Sequence, residues 1–453
     1  MSSDCQQVVI SDVAELVRGV TYSKEDSRDT PAEGFSPVLR ATNIQNSRLV
    51  LESDLVYVPS GNVSSTQRLR AGDIVMATSS GSKHLVGKSA LMRTDWVGSF
   101  GAFCAALRAK PNIDPRYLFA FLQSPAYWSQ VTKKALGVNI NNLRRGDIET
   151  LALPLPELDE QREIVAELEK QFSRLDDAVA NLRRVKANLK RYKASVLKDA
   201  VEGRLVPTET ELARREGRSF ENGEQLLQRI LDGQSVGGKA RRRIADLVAM
   251  PRANLSEIPD GWIWTTTGEI CKCIVPNRDK PKTFSGDISW LTLPDFDDSE
   301  ITIARSKSGL GFTEFEVALY RAKAIPIDSV VMSCVGRFGI SAVLTRKAVI
   351  NQQLHAFLPS EGVVPKYLAY VLRTRDQEML QKSTATTIAY LNKENCNSIT
   401  VPLPPLAEQA RIVAEVDRHL SIIREVEAEV DANLKRAQAL RQSTLNKSFS
   451  ISS

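Results

Sequence analysis

The stretch Leu153-Pro154-Leu155-Pro156-Glu157-Leu158-Asp159-Glu160-Gln161, followed by Ile164-Val165-Ala166-Glu167, returns as Val401-Pro402-Leu403-Pro404-Pro405-Leu406-Ala407-Glu408-Gln409, followed by Ile412-Val413-Ala414-Glu415. The chain is a tandem duplication. Each copy has a long segment before the stretch and a heptad-patterned helix after it, which gives the order globule, helix, globule, helix. The offset between Pro154 and Pro402, 402 − 154 = 248, also relates Ser195 and Leu197 to Ser443 and Leu445, so the helices align without a gap. Upstream, Pro115-Arg116-Tyr117-Leu118 matches Pro365-Lys366-Tyr367-Leu368, and Asp73-Ile74-Val75 matches Asp328-Ser329-Val330, each at a different offset. Length changes have accumulated only in the globules, as expected where rods fix a distance and loops carry recognition.

From Glu157 to about Val201 the apolar positions Leu168, Phe172, Leu175, Val179, Leu182 and Leu189 step by four and three, with Lys186 in one seam position. That is a coiled-coil seam. The second helix repeats it with Val416, Leu420, Ile423, Val430, Leu434 and Ala437, interrupted by Glu427. Pro156 and Pro405 read as helix starters, and Gly203 with Pro207 beyond it ends the first helix. A rod of about 44 residues spans roughly 65 Å and needs a partner for its seam. Its own duplicate, returning antiparallel after the intervening globule, is the nearest candidate; a second molecule is the alternative.

The fold class is α+β. Two globules of mixed α/β structure stand in tandem, each followed by a long helix. Strand-like runs (Asp73 to Met76, Ser329 to Met332) alternate with Gly and Ser turns, and each globule offers a short helix, Tyr117 to Leu122 and Tyr367 to Leu372. The segment from Glu202 to Ile258 reads as a linker with a minor helix, Glu224 to Leu231. It continues into a basic run, Gly237-Gly238-Lys239-Ala240-Arg241-Arg242-Arg243, that reads as a solvated tether.

A net charge of +6 and a pI near 8.9 suit a nucleic-acid partner and suit an ordinary soluble protein as well. Six scattered cysteines form no disulfide framework and point to a reducing cytosol. The amino terminus has no basic-then-apolar leader, and no apolar run is long enough to span a bilayer. Gly81-Ser82-Lys83-His84-Leu85-Val86-Gly87-Lys88-Ser89 fails as a phosphate loop, because five residues separate its glycines where four are needed. Three histidines and Cys271-Lys272-Cys273 make no metal set. With no nucleophile elbow, adenine-methylation loop or dinucleotide fingerprint either, the chain is expected to catalyse nothing by itself.

What remains is polar readout chemistry. In the first globule it lies in Arg18, Tyr22 and Lys24; in Arg40, Asn43 and Gln45; in Ser80, Lys83, His84 and Lys88; and in Asn139, Asn141, Asn142 and Arg144. In the second it lies in Arg278, Lys280, Lys282, Arg337, Gln352, Thr386, Tyr390, Asn392 and Lys393. Asn and Gln can pair bidentately with adenine, and Arg and Lys with guanine, while hydroxyls and amides position phosphates.

The paired Pro-Leu-Pro-x-Leu-x-Glu-Gln-x-x-Ile-Val-Ala-Glu stretches resemble the specificity (S) subunits of type I restriction-modification systems, the HsdS family. So do the helix end Ser195 to Leu205 and Ile258-Pro259-Asp260-Gly261-Trp262 opening the second globule. The resemblance covers essentially the whole chain. It implies a non-catalytic DNA-reading subunit with target recognition domains at 1–153 and 258–401, spacer helices at 154–203 and 402–453, and a linker at 204–257. It further implies an antiparallel coiled-coil spacer between two half-sites of a split, asymmetric DNA target. Two modification subunits dock on the helices in that family and methylate adenine N6 with S-adenosylmethionine. Two restriction subunits use ATP and Mg to translocate and cut. No cofactor is implied on this chain, and a coiled-coil protein-interaction scaffold is the competing reading.

Overall fold

The computed structural model describes residues 6–80, 85–135, 142–234, 256–276, 281–384 and 388–449. The chain divides into two compact units, 1–183 with 431–453, and 184–430. The long helices, Leu158–Val201 and Leu406–Phe449, each contribute to both units.

In the first unit a four-stranded antiparallel sheet runs in the order Ala14–Arg18, Cys104–Ala109, Ile74–Ala77, Ser89–Leu91. Against it pack the helices Pro115–Leu122 and Pro125–Ala135, through Tyr117, Leu118, Phe121, Leu122 and Tyr127. A second sheet orders Val56–Pro59, Phe35–Leu39 and Ser99–Phe100. The second unit repeats the plan, with Cys271–Ile274, Leu354–Pro359, Val330–Ser333, Ser341–Leu344 and Thr302–Ile303 in its main sheet and Pro365–Arg373 as the packed helix.

The repeated Leu-Pro-Leu and Val-Pro-Leu segments are strands, and this moves the helix starts. Ala152–Leu155 pairs antiparallel with Gln6–Val9, and Thr400–Leu403 with Ile263–Thr266. The rods therefore begin at Leu158 and Leu406, just after Pro156 and Pro405 and four residues later than the 154 and 402 that the resemblance implied. At both junctions a buried glutamine holds three backbone groups. Gln161 Nε2 donates to Pro156 O (2.8 Å) and Asn112 O (3.2 Å), and its Oε1 accepts from the Asp114 N–H (2.8 Å). Gln409 does the same with Pro404 O and Gly362 O (both 3.1 Å) and the Val364 N–H (2.9 Å). Asp114 and Val364 are the N-cap residues of the packed helices, so each glutamine ties a globule helix to a rod start. Tyr117 and Tyr367 add hydroxyl bonds to Pro154 O (3.0 Å) and Pro402 O (2.6 Å).

The seams pair within the chain, antiparallel, in each unit. In the first unit the start of the first rod (Val165, Leu168, with Phe172) shares a core with the end of the second (Leu445, Phe449). Arg441 lies 4.4 Å over the Phe172 ring and pairs with Asp176. In the second unit the end of the first rod (Val196, Leu197, Ala200, Val201, with Leu189) meets the start of the second (Ile412, Val416, Leu420, Ile423), and Tyr192 Oη lies 2.9 Å from His419 Nδ1. Val430 is buried, while Leu175, Val179, Leu182 and Leu434 are half-buried, as in a two-helix seam with no third layer.

Over its described part the linker packs on the second unit. Its expected minor helix forms as Gly223–Gln234, and Leu226, Leu227 and Ile230 join the core of the second unit. A further helix, Glu209–Glu216, is capped by Thr208, and buried Glu209 pairs with Arg218 and Arg411, both at 2.6 Å. Gly203 (φ +70°) leaves no room for a side chain, since a Cβ would stand 2.2 Å from Pro259. Trp262 Nε1 donates to buried Glu408 at 2.9 Å. The separate sequence signatures around Gly203, Pro259 to Trp262 and Glu408-Gln409 thus meet at one joint. The basic run Lys239 to Arg243 lies outside the described residues.

Candidate nucleic-acid interface

Antiparallel pairing aims the recognition loops. Ala105 opposes Arg18 and Cys104 opposes Ala77, so the chain leaves Ala14–Arg18 and Ile74–Ala77 at the end where it enters Cys104–Ala109. Leu39 lies beside Phe100, and the Gly101 N–H donates to Leu39 O at 2.8 Å, which starts the Arg40 loop there too. Thr78 and Ser79 N–H groups donate to Phe103 O at 2.9 and 3.2 Å, Ser79 pairs with Asn142, and Leu143 N donates to Thr78 O at 2.8 Å. All four polar loops read from the sequence therefore set out from one end of the first unit. Gly19 is required there, because a Cβ would stand 2.1 Å from Gly101 O.

The second unit repeats this end. Ser333 opposes Leu354, Cys334 N donates to Gln353 O (2.9 Å), Leu391 N to Cys334 O (2.9 Å), and Val335 pairs with Tyr390. Arg337, Gln352, Tyr390, Asn392 and Lys393 thus share one cluster. Lys282 is exposed on the segment leading into Ile288–Leu291, and these bonds do not tie it to the cluster.

The carboxamides of two expected readers are engaged by their own backbone. Asn43 is buried, accepts from the Arg40 N–H (2.8 Å) and donates to Val50 O (3.0 Å) and Ser53 O (2.9 Å), so its amide shapes the loop. Asn392 caps the helix Lys393–Asn397 by accepting from the Asn395 N–H at 2.8 Å. Arg40 pairs with Asp54, Arg337 with Asp298, and Gln45 donates to Thr42 O at 3.2 Å. Arg18, Lys24, Asn142, Arg144 and Lys393 are exposed, and Ser80 and Lys88 are half-buried. Burial raises the Tyr22 phenol, which nearby Arg40 partly offsets. Lys83, His84, Asn139, Asn141, Arg278, Lys280 and Thr386 lie outside the described residues. At the same end stand Phe103, 69% exposed on the Gly101–Phe103 turn, and, on the matching turn of the second unit, Asn351 and Gln353, none of them among the residues expected from the sequence.

Behind Tyr390 lies His355, fully buried, its ring centroid 6.3 Å from that of Tyr390 and its Nδ1 3.2 Å from Cys396 Sγ. Its Nε2 is buried without a hydrogen-bond partner. Burial, with Lys393 nearby, pushes its pKa down to about 4. The unfolded histidine titrates near 6.5, so the unfolded chain binds the extra proton between the two values. The contribution of neutral His355 is full above pH about 6.5 and is lost as pH falls toward 4. Urea unfolding should show this residue costing the second unit about 2 kcal/mol between pH 7 and pH 5. A His355→Phe variant with the wild-type pH slope would refute the assignment. Burial also raises the thiols of Cys104, Cys271, Cys273, Cys334 and Cys396, which disfavours the thiolate needed for attack or metal binding. Among the described residues no group of three or more His, Cys, Asp or Glu is placed to hold a metal.

The architecture defines a class: a duplicated α+β reader whose two loop clusters are mounted on a shared pair of antiparallel rods. Residues 2–190 and 259–436 match the type I restriction modification DNA specificity domain, and the chain belongs to that family. It is 29% identical over 444 residues, covering 97% of this chain and 87% of the relative, to the type I restriction enzyme StySPI specificity subunit of Salmonella potsdam. It is 27% identical over 450 residues, with the same coverage, to the EcoKI specificity subunit of Escherichia coli K12. Among solved structures, one on complex assembly and conformational transition of the type I R-M system aligns with TM-score 0.64 at 21% identity, over 98% of this chain and 97% of that one. The HsdS subunit of Thermoanaerobacter tengcongensis aligns with TM-score 0.51 at 20% identity, over 98% and 96%.

Proposed function

We propose that this chain is the DNA-reading specificity subunit of a type I restriction-modification complex, recognising a bipartite asymmetric site with one half-site at each loop cluster. The observation that carries the reading is the duplication itself. Two hydrogen-bonded loop clusters of the same backbone plan bear different side chains, on rods whose seams are paired within the chain. That internal pairing removes the premise of the scaffold reading, which needed the seams free to join molecules.

On this reading the chain catalyses nothing. Two modification subunits bring S-adenosylmethionine and methylate adenine N6 in each half-site, and two restriction subunits bring ATP and Mg. Phosphate contacts from exposed cations such as Arg18, Lys24 and Arg144 would set the register, and base-edge contacts would set the sequence. No helix among the described residues is long and apolar enough to cross a membrane, and the cytoplasm is the proposed location. Genomic N6-methyladenine mapped with and without the gene tests the proposal. Loss of one split motif, methylated once on each strand, is the expected result; an unchanged methylome counts against it.

A further inference from the structure

The turns Gly101–Phe103 and Asn351–Gln353 occupy the same place in the two units. Gly101 N donates to Leu39 O (2.8 Å) and Asn351 N to Leu291 O (3.0 Å). Cys104 N donates back to Gly101 O (2.8 Å) and Leu354 N to Asn351 O (3.1 Å). The carbonyl of Phe103 accepts from Thr78 N, as that of Gln353 does from Cys334 N. With these three backbone contacts matched, the side chains differ: Gly-Ala-Phe in one turn and Asn-Gln-Gln in the other.

A single exposed aromatic means little by itself. Phe103, however, stands on a turn pinned from three sides, since Ala102 N also donates to Val20 O at 2.9 Å. Exposed Asn142 belongs to the segment bonded to the same Thr78-Ser79 backbone. In the second unit, Asn351 Nδ2 donates to Gln353 Oε1 and Gln353 N to Asn351 Oδ1, both at 3.1 Å, which holds a polar pair beside exposed Gln352. A rigid apolar tip suits the 5-methyl group of thymine, the one apolar group on a base edge in the major groove. Rigid carboxamides suit a purine edge.

We propose that these paired turns read opposite chemistries: Phe103 contacts a thymine methyl in the first half-site, and the Asn351–Gln353 turn hydrogen-bonds a purine in the second. This rests on the DNA-reading function above. The test uses the full chain with its modification subunits and a duplex carrying the mapped motif, with first-half thymines replaced one at a time by deoxyuridine. One replacement should weaken binding about fourfold, the effect of one buried methyl group. Phe103→Ala should abolish that difference between thymine and uracil duplexes while leaving second-half substitutions unaffected. Phe103→Leu should retain part of it, which separates a lost contact from a lost fold. A uracil effect that persists in Phe103→Ala, or no uracil effect at any first-half position, overturns the proposal while the general function stands. Failure of the gene to control any methylated motif overturns the function instead.

Discussion

Lengthening both rods by one heptad, with matched insertions between Arg183 and Arg184 and between Val430 and Asp431, is expected to widen the gap in the recognised site while both half-sites stay the same. Those positions are where the compact units divide, clear of the buried joints at the rod ends. A heptad keeps the seam facing its partner, whereas a change in one rod alone would slide its seam past the other. Seven helical residues add about 10 Å, equal to about three base pairs of axial rise. Each added base pair also turns one half-site by about 34°, and DNA resists that twist, so an increase of one to three base pairs is expected. Methylome mapping of the variant reads the gap directly. Altered half-sites with an unaltered gap would show that the rods do not measure distance.

The rods were legible because a seam repeating every 3.5 residues over some forty residues has few other physical readings, and the duplication supplied the partner. The packed helices at Tyr117 and Tyr367 and the strands at Ile74 and Val330 were legible for similar local reasons. The convergence of four loops was not, because it depends on which strands pair across tens of residues. Nor could composition separate Asn43 and Asn392 from carboxamides that face solvent. A carboxamide in a loop bonds its own backbone as readily as it faces solvent, and only the fold decides which. The packing of the linker was not legible for a related reason: short helices such as Glu209–Glu216 look peripheral until the charges on Glu209, Arg218 and Arg411 are seen to meet. The exposure of Phe103 was not legible either, because it depends on the turn that the paired strands hold in place.

Gln161 and Gln409 were visible as repeated residues, and the structure supplies their reason and the remaining large effect. Gln409→Leu keeps the volume but strands the Val364 N–H and the carbonyls of Pro404 and Gly362 at a buried joint. Each buried group left unpaired costs about 1–3 kcal/mol, so a loss of roughly 3–5 kcal/mol is expected in the second unit. Gln161→Leu should do the same to the first unit, through Asp114 N, Pro156 O and Asn112 O. The two changes share no partner and should add. Gln409→Glu is the sharper test, because it also keeps the shape. Ionised, it sets a second acceptor against two carbonyls and buries a charge, so it should be worse than leucine at pH 7. Protonation returns one donor, and the variant should recover relative to Gln409→Leu as pH falls from 7 to 5. Urea unfolding followed separately in each unit decides the matter: a Gln409→Leu protein within 1 kcal/mol of wild type would mean the clamp is ornamental and the seam alone seats the globule.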